Sequence, residues 1–171
     1  MLTMPQSHTE LHIRPMQAQD AQALSELAAR VWRAHYVPSI VTAEQIEHML
    51  PWVASQQYFA DTLKSPAHRV WVCLCGNTVA GYIVMHEQEE GWFMDKFYVD
   101  TDRQRSGLGR ALFEYVEHAL QPTMVQLRVN RKNFVAINFY FKHGFTIIAT
   151  HEKDIGGGFV MDDFIMEKTY E

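Results

Sequence analysis

Met94-Asp95-Lys96-Phe97-Tyr98-Val99-Asp100-Thr101-Asp102-Arg103-Gln104-Arg105-Ser106-Gly107-Leu108-Gly109-Arg110-Ala111-Leu112 reads as a strand, a polar turn, a glycine pair and a helix. Phe97, Tyr98 and Val99 are strand formers. Asp100 to Asp102 break the run, and Leu108, Leu112, Val116 and Ala119 then recur at helical spacing. Backbone N–H groups at such a helix start are unpaired. With the helix dipole they form an anion site suited to a phosphate or pyrophosphate. Gly107 and Gly109 let the backbone come close to a ligand because no Cβ intervenes. Arg105 and Arg110 add positive charge.

Three phosphate-loop patterns compete for this stretch. A Walker loop needs Gly, four residues, then Gly-Lys-Ser/Thr, which is absent. A dinucleotide fingerprint needs a small residue where Leu112 stands and an acidic residue roughly 20 positions on. Arg128, Val129 and Asn130 occupy that region. The third pattern, Gln/Arg-x-x-Gly-x-Gly/Ala, is met by Gln104-Arg105-Ser106-Gly107-Leu108-Gly109. It resembles the acyl-CoA pyrophosphate loop of the GNAT (Gcn5-related) N-acetyltransferases. Downstream, Asn133-x-x-Ala136-x-x-Phe139-Tyr140-x-x-x-Gly144-Phe145 resembles the second GNAT signature. Ala136, Phe139, Tyr140 and His143 share a helical face there, and Gly144 is a C-terminal cap. The two motifs stand in order, about one strand and one helix apart. The resemblance covers the chain from Leu11 to Lys168.

At 171 residues, 47% hydrophobic and 20% charged, the chain fits one globular domain over residues 11–171, preceded by a flexible N-terminus over 1–10. A net charge of -5 gives no global case for nucleic acid. Met1 to Glu10 lacks the apolar core of a signal peptide, and no apolar run approaches a membrane span. Cys73 and Cys75 sit two apart in a predicted strand, on one face, a poor geometry for a mutual disulfide. They read as reduced core thiols in a cytoplasmic protein without a metal site. A homodimer is compatible with all of this.

Taken in order, Leu11 to Arg14 is a strand and Ala18 to Tyr36 an amphipathic helix that Pro38 ends. A second helical stretch runs from Ala43 to about Leu63, with Pro51 as a break or kink. Arg69–Leu74 and Thr78–Glu87 form a hairpin about Gly76-Asn77, and Trp92 to Val99 returns. The glycine loop and its helix run to about Leu120. Met124–Val129, a helix over Asn133–His143, and strands Phe145–His151 and Val160–Lys168 complete the chain. Lys153 to Gly158 is expected as a flexible loop. The order implies parallel pairing between the Trp92 and Met124 strands across a helical crossover. The resemblance implies the GNAT fold of the α/β class: a mixed sheet of about seven strands flanked by about four helices.

What the resemblance implies about chemistry is direct acetyl transfer from acetyl-CoA to a primary amine. The donor would be held by N–H groups from Gln104, Arg105, Ser106, Gly107, Leu108, Gly109 and Arg110. Its pantetheine arm would bond the backbone of Phe97, Tyr98 and Val99 as an added strand. The Val99 N–H would polarise the thioester carbonyl. Tyr140 matches the family tyrosine that protonates the leaving thiolate, and its bland alternative is a half-buried helix aromatic. Asn133 matches a donor-contacting position and also reads as a plain N-cap. Asp95 matches a central-strand carboxylate, the candidate base; strict alternation puts it on one face with Phe97 and Val99. The competing role for Asp95 is a salt-bridged carboxylate at the cleft edge.

For the acceptor, three acidic places stand out: Glu44 with Glu47, Glu87 to Glu90, and Asp162-Asp163. The tail from Gly156 to Lys168 resembles that of PaiA-type GNATs, which acetylate polyamines. A small amine or polyamine such as spermidine is therefore the expected acceptor. A protein N-terminal or lysine acetyltransferase is the alternative within the family. A non-catalytic acetyl-CoA-binding module is the alternative outside it.

Overall fold

A computed structural model describes residues 11–37 and 39–171. The flexible N-terminus expected over 1–10 and the helix stop at Pro38 lie outside the described residues. Seven strands form one sheet in the order β1-β2-β3-β4-β5-β7-β6. They are β1 (Leu11–Pro15), β2 (His68–Cys75), β3 (Thr78–Gln88), β4 (Gly91–Val99), β5 (Met124–Asn130), β6 (Thr146–Gly156) and β7 (Phe159–Thr169). Five α-helices cover it: α1 (Ala21–Val31), α2 (Ala43–Val53), α3 (Gln56–Lys64), α4 (Leu108–Leu120) and α5 (Phe134–Lys142). The pair β4–β5 is parallel, and every other strand pair is antiparallel.

The centre of the sheet is buried on both faces, so β2 and β3 are near-continuous apolar runs. Period-two alternation divides them. Val70, Val72, Tyr82 and Val84 pack under α1, α2 and α3 with Leu24, Leu27, Ile46 and Phe59. Trp71, Cys73, Ile83 and Met85 pack against α4 and α5 with Leu112, Phe113, Ile137 and Tyr140.

The second helical stretch is two helices. The Thr42 side chain caps α2 by accepting from the Gln45 N–H. Pro51 is tolerated in the last turn of α2, and the break falls at Ala54. Ser55 starts α3 by accepting from the Tyr58 N–H at 3.1 Å. The first helix also differs from a plain α-helix: α1 widens into a π-helical turn over Trp32–Tyr36. Such turns recur at functional sites because they re-aim side chains.

Lys153 to Gly156 is strand rather than loop. The β6–β7 hairpin turns on Gly157 and Gly158 alone, with Gly156 opposite Phe159. Both central residues have positive φ (65° and 80°), as a two-residue hairpin turn demands, and this is why glycines stand there. The hairpin tip docks on α2. His48 Nε2 lies 3.0 Å from the Ile155 carbonyl, and the His48 and Phe159 rings are 5.5 Å apart. Among the described residues no helix is long and apolar enough to cross a membrane.

Candidate active site

Two backbone irregularities create the site. Parallel pairing of β4 with β5 covers only Trp92 to Met94, opposite Val125 to Leu127, and then stops. At the same point β4 bulges: Met85 faces Met94 while Val84 faces Lys96, so Asp95 has no partner in β3. Bulges bend and twist the strand that carries them and occur beside active sites. Beyond the bulge, β4 and β5 part and open a cavity of about 720 Å³.

The cavity's donor end is the start of α4. The first helical bond is from the Ala111 N–H to the Gly107 carbonyl, at 3.0 Å. The N–H groups of Leu108, Gly109 and Arg110 therefore have no helical acceptor, and Gly107 offers no side-chain cap. Gly107 has φ of 83°, and a Cβ there would meet nothing within 4 Å. Gln104, Arg105, Gly107, Gly109 and Arg110 line the cavity. Ser106 instead donates its hydroxyl to the Arg103 carbonyl at 2.5 Å, bracing the turn. The Leu108 side chain is buried in the core, so only its backbone could meet a donor. Arg110 is drawn to Glu114 on the next turn, at 2.7 Å.

Along β4 the backbone divides by alternation. The Asp100 N–H bonds the Ala80 carbonyl at 2.9 Å, and the Tyr98 carbonyl also turns to β3, 3.1 Å from where a Cβ on Gly81 would sit. Phe97 and Val99 therefore direct their N–H and C=O groups at the edge that β5 has left. Of the three residues expected to bond an added strand, these two face it. Tyr98 is committed to β3, and its ring lies 6.2 Å from that of Trp32.

The bulge also corrects the side on which Asp95 stands. Met94 and Phe97 both pack toward α4 and α5. Asp95 and Lys96 both turn to the opposite, α1–α3 face. There Asp95 Oδ2 accepts from the Tyr58 hydroxyl at 2.6 Å and lies 3.3 Å from Lys96 Nζ. Strict alternation fails because the bulge inserts a residue. Burial pushes the Asp95 carboxyl up, but the Lys96 charge and the Tyr58 hydrogen bond outweigh it and hold it below its ordinary value. A carboxylate so held is a weak proton acceptor and a persistent anion.

On that face the cavity forms a chamber for the second reactant. Its floor is Asp95 on β4, Arg128 and Asn130 on β5, and Met161 and Asp163 on β7. Its roof is Trp32, His35 and Tyr36 from the π-helical turn, and Gln45, Met49 and Trp52 from α2. Burial pushes the Tyr36 phenol up to about 12. The aromatic run Trp32-Arg33-Ala34-His35-Tyr36 and the phenol Tyr58 were missed as site residues. The only sequence signal was a cluster of aromatic rings with polar tips at the end of a helix.

Tyr140 reaches the cavity from α5. Its hydroxyl is buried, with Met94 Sδ at 3.9 Å as its polar neighbour. Burial holds this phenol well above its ordinary value, so it is a proton donor and not a phenolate. Asn133 is the N-cap of α5: its Oδ1 accepts from the Ala136 N–H at 3.2 Å and lies 3.1 Å from His35 Nε2. Its Nδ2 donates to the Tyr36 hydroxyl at 3.4 Å, so the cap also ties α5 to the roof.

The three acidic places fare differently. Glu44, Glu47 and Glu87 to Glu90 are outside the cavity lining. Glu47 is held by Arg33 at 2.8 Å on the surface. Asp162 and Asp163 are not a pair, because neighbours on a strand face opposite ways. Asp162 is bound by Arg131, whose guanidinium also reaches Glu152. Asp163 is turned into the chamber, only 4% exposed.

Comparison with known proteins agrees with this geometry. The family model of the acetyltransferase (GNAT) domain matches residues 66–147. A spermidine N(1)-acetyltransferase of Thermoplasma acidophilum is 24% identical over 168 residues, covering 94% of this chain and 98% of that protein. The crystal structure of a PaiA N-acetyltransferase of Thermoplasma acidophilum in complex with coenzyme A superposes with a TM-score of 0.81 at 23% identity, covering 94% of this chain and 99% of that one. The ribosomal-protein-S18-alanine N-acetyltransferase of Escherichia coli superposes at 0.72 with 21% identity and 94% coverage of both chains. At these identities the structural matches speak to the fold.

Proposed function

We propose that this chain, an acetyltransferase of the GNAT type, moves an acetyl group directly from acetyl-CoA to a primary amine of a small polyamine such as spermidine. The observation that carries this is the single cavity joining the bare N-terminus of α4, the vacated edge of β4 and a chamber holding two carboxylates, Asp95 and Asp163.

The residues present fit acetyl-CoA. The unpaired N–H groups at Gly107 to Arg110 suit its pyrophosphate. The N–H and C=O groups of Phe97 and Val99 suit the amides of its pantetheine arm, in the manner of an added strand. The Val99 N–H faces the same vacated edge, where it would stabilise the oxyanion that forms on attack. The amine attacks the thioester carbon, the C–N bond forms and the C–S bond breaks. A thiol of this kind has a pKa of about 8.5, so its thiolate is a tolerable leaving group. The Tyr140 hydroxyl supplies its proton, contributing about 10–100-fold, at or below the low end for acid catalysis.

The polyamine preference rests on the chamber and on the distant spermidine-acetylating relative. Asp95 is held as an anion and attracts an ammonium group. The roof carries the aromatic side chains of Trp32, Tyr36 and Trp52, a composition that favours a cation as well. The test is release of free thiol from acetyl-CoA over a panel of amines, with products identified by mass. Spermidine or a similar amine as the best acceptor supports the function. Release only with peptide amines replaces the substrate class, and acetyl-CoA binding without release on any amine makes the chain a binding module.

A further inference from the structure

We infer that Asp163, backed by His151 on the neighbouring strand, is the group that removes the proton from the acceptor ammonium. This rests on the acetyltransferase function proposed above and names the residue that must act before transfer. An alkylammonium has a pKa of about 10.4, so nearly all of it is protonated near neutrality and cannot attack.

Asp163 has the placement for this task. It lines the chamber while 4% exposed, and among the described residues none donates a hydrogen bond to its carboxylate. Most buried carboxylates are satisfied by donors. Asp95, in the same chamber, is satisfied by Tyr58 and Lys96. Burial leaves Asp163 above its ordinary carboxylate value, against the pull of His151 and Arg128. That moves it toward the acidity a base needs near neutral pH.

His151 on β6 stands directly opposite Asp163 on β7, and its Nδ1 is buried without a partner. The charged and titratable groups facing Asp163 are His151 from β6, Arg128 from β5, and Tyr36 from the π-helical turn. Asp162 adjoins it on β7 but turns away to Arg131. The proton passes from the ammonium nitrogen to an Asp163 oxygen, directly or through a water. The neutral amine keeps its electron pair and attacks. Asp163 then releases the proton to solvent as the product leaves, which returns the carboxylate to its starting state.

The test uses three variants of the full chain: Asp163→Asn, His151→Gln, and Asp162→Asn as the control. Acetylation of spermidine is followed from neutral to alkaline pH. Spermidine binding to the protein–CoA complex is measured by calorimetry. Asp163→Asn should lower kcat/KM for the amine about 10²–10⁴-fold at neutral pH. The deficit should shrink as pH rises and free amine appears unaided, with the KM for acetyl-CoA unchanged. It should also weaken spermidine binding at least about tenfold, as expected for loss of a buried charge partner. His151→Gln should show a smaller deficit with the same pH trend, and Asp162→Asn should match the parent. A deficit constant across pH, or parental kcat/KM in Asp163→Asn, overturns this inference while the acetyltransferase function stands. A parent protein that acetylates no amine overturns that function instead, and the inference with it.

Discussion

The hydroxyl of Tyr58, on α3, donates a 2.6 Å hydrogen bond to Oδ2 of Asp95, at the bulge in β4. The bond joins the helical layer over the acceptor chamber to the strand that holds the donor. It also keeps the carboxylate ionised, together with Lys96. A carboxyl whose folded value is lowered contributes stability above its unfolded value of about 3.9, and loses it as pH falls through the folded value. Tyr58→Phe should therefore raise the folded value and move the acid limb of the stability profile to higher pH. A bond to a charged group is worth about 1.5–3 kcal/mol, and a carboxylate with its side chain 34% exposed belongs at the low end. Urea unfolding at several pH values measures both, and an unmoved acid limb would remove the bond from the account.

At the donor end, Gly107→Val should weaken acetyl-CoA binding at least about tenfold. The added side chain would project into open cavity, where the pyrophosphate is expected. Its φ of 83° adds backbone strain of about 1–3 kcal/mol, so the melting temperature should fall too. Gly144→Val separates the two effects. Gly144 has a similar φ of 88° but stands between α5 and β6, outside the cavity. Calorimetry should find it destabilised with parental affinity. Equal affinity loss in both variants would assign the effect to strain.

Tyr140→Phe removes one hydroxyl whose polar neighbour is a thioether sulfur at 3.9 Å, so little packing or hydrogen bonding is lost. We expect kcat to fall about 10–100-fold, with acetyl-CoA affinity within about twofold of the parent. The deficit should be greater with a donor whose thiol has a higher pKa, since such a thiolate needs its proton more. Full activity in the variant would leave Tyr140 as a core aromatic.

Asp163 predicts a stability effect opposite in sign to that of Asp95. Its folded value is raised, so the folded protein binds more protons than the unfolded chain between the two values, and stability falls as pH rises through that window. Asp163→Asn removes the cost of an ionised, unpaired carboxylate. The variant should melt higher than the parent at neutral pH, and the gain should vanish at pH below about 3.9, where the parent's carboxyl is protonated in both states. Thermal melts across that range decide it. A variant less stable than the parent at neutral pH would mean that Asp163 has a donor in solution.

The glycine loop, the seven strands and the aromatic face of α5 were legible because each is a local pattern. Gly107 and Gly109 mark a turn whatever lies around them, and Phe139 with Tyr140 mark a buried helical face. What sequence could not place depends on one inserted residue. The bulge turns Asp95 away from Phe97, and nothing in Met94-Asp95-Lys96-Phe97 marks it. The acidic pair Asp162-Asp163 misled for a related reason. Adjacency in sequence is opposition across a strand, so one carboxylate went to Arg131 and the other to the chamber. The glycine triplet suggested a flexible loop, whereas Gly157 and Gly158 make a two-residue turn and Gly156 stays in β6. Docking of that hairpin on His48 is a long-range contact with no local signature.

That docking carries the last prediction, on how wide an acceptor the chamber takes. The β6–β7 hairpin closes one side by resting on α2 through His48, with Ile155 and Phe159, and through Gln45, whose Nε2 donates to the Val160 carbonyl at 3.4 Å. A polyamine is a thin chain and can enter a chamber closed on that side. A peptide needs room for its backbone and neighbouring side chains. His48 is exposed, so His48→Ala should cost little stability while removing a hydrogen bond and a ring contact from the hairpin tip. If the hairpin sets the width, the variant should keep most of its kcat/KM for spermidine and gain on a peptide N-terminus, raising the peptide-to-spermidine ratio about tenfold or more. Tenfold corresponds to about 1.4 kcal/mol, within what one hydrogen bond and one ring contact supply. The ratio is the measurement, because a general loosening of the fold would lower both values and leave it unchanged. A parent that already prefers the peptide would place the acceptor route elsewhere, away from the hairpin.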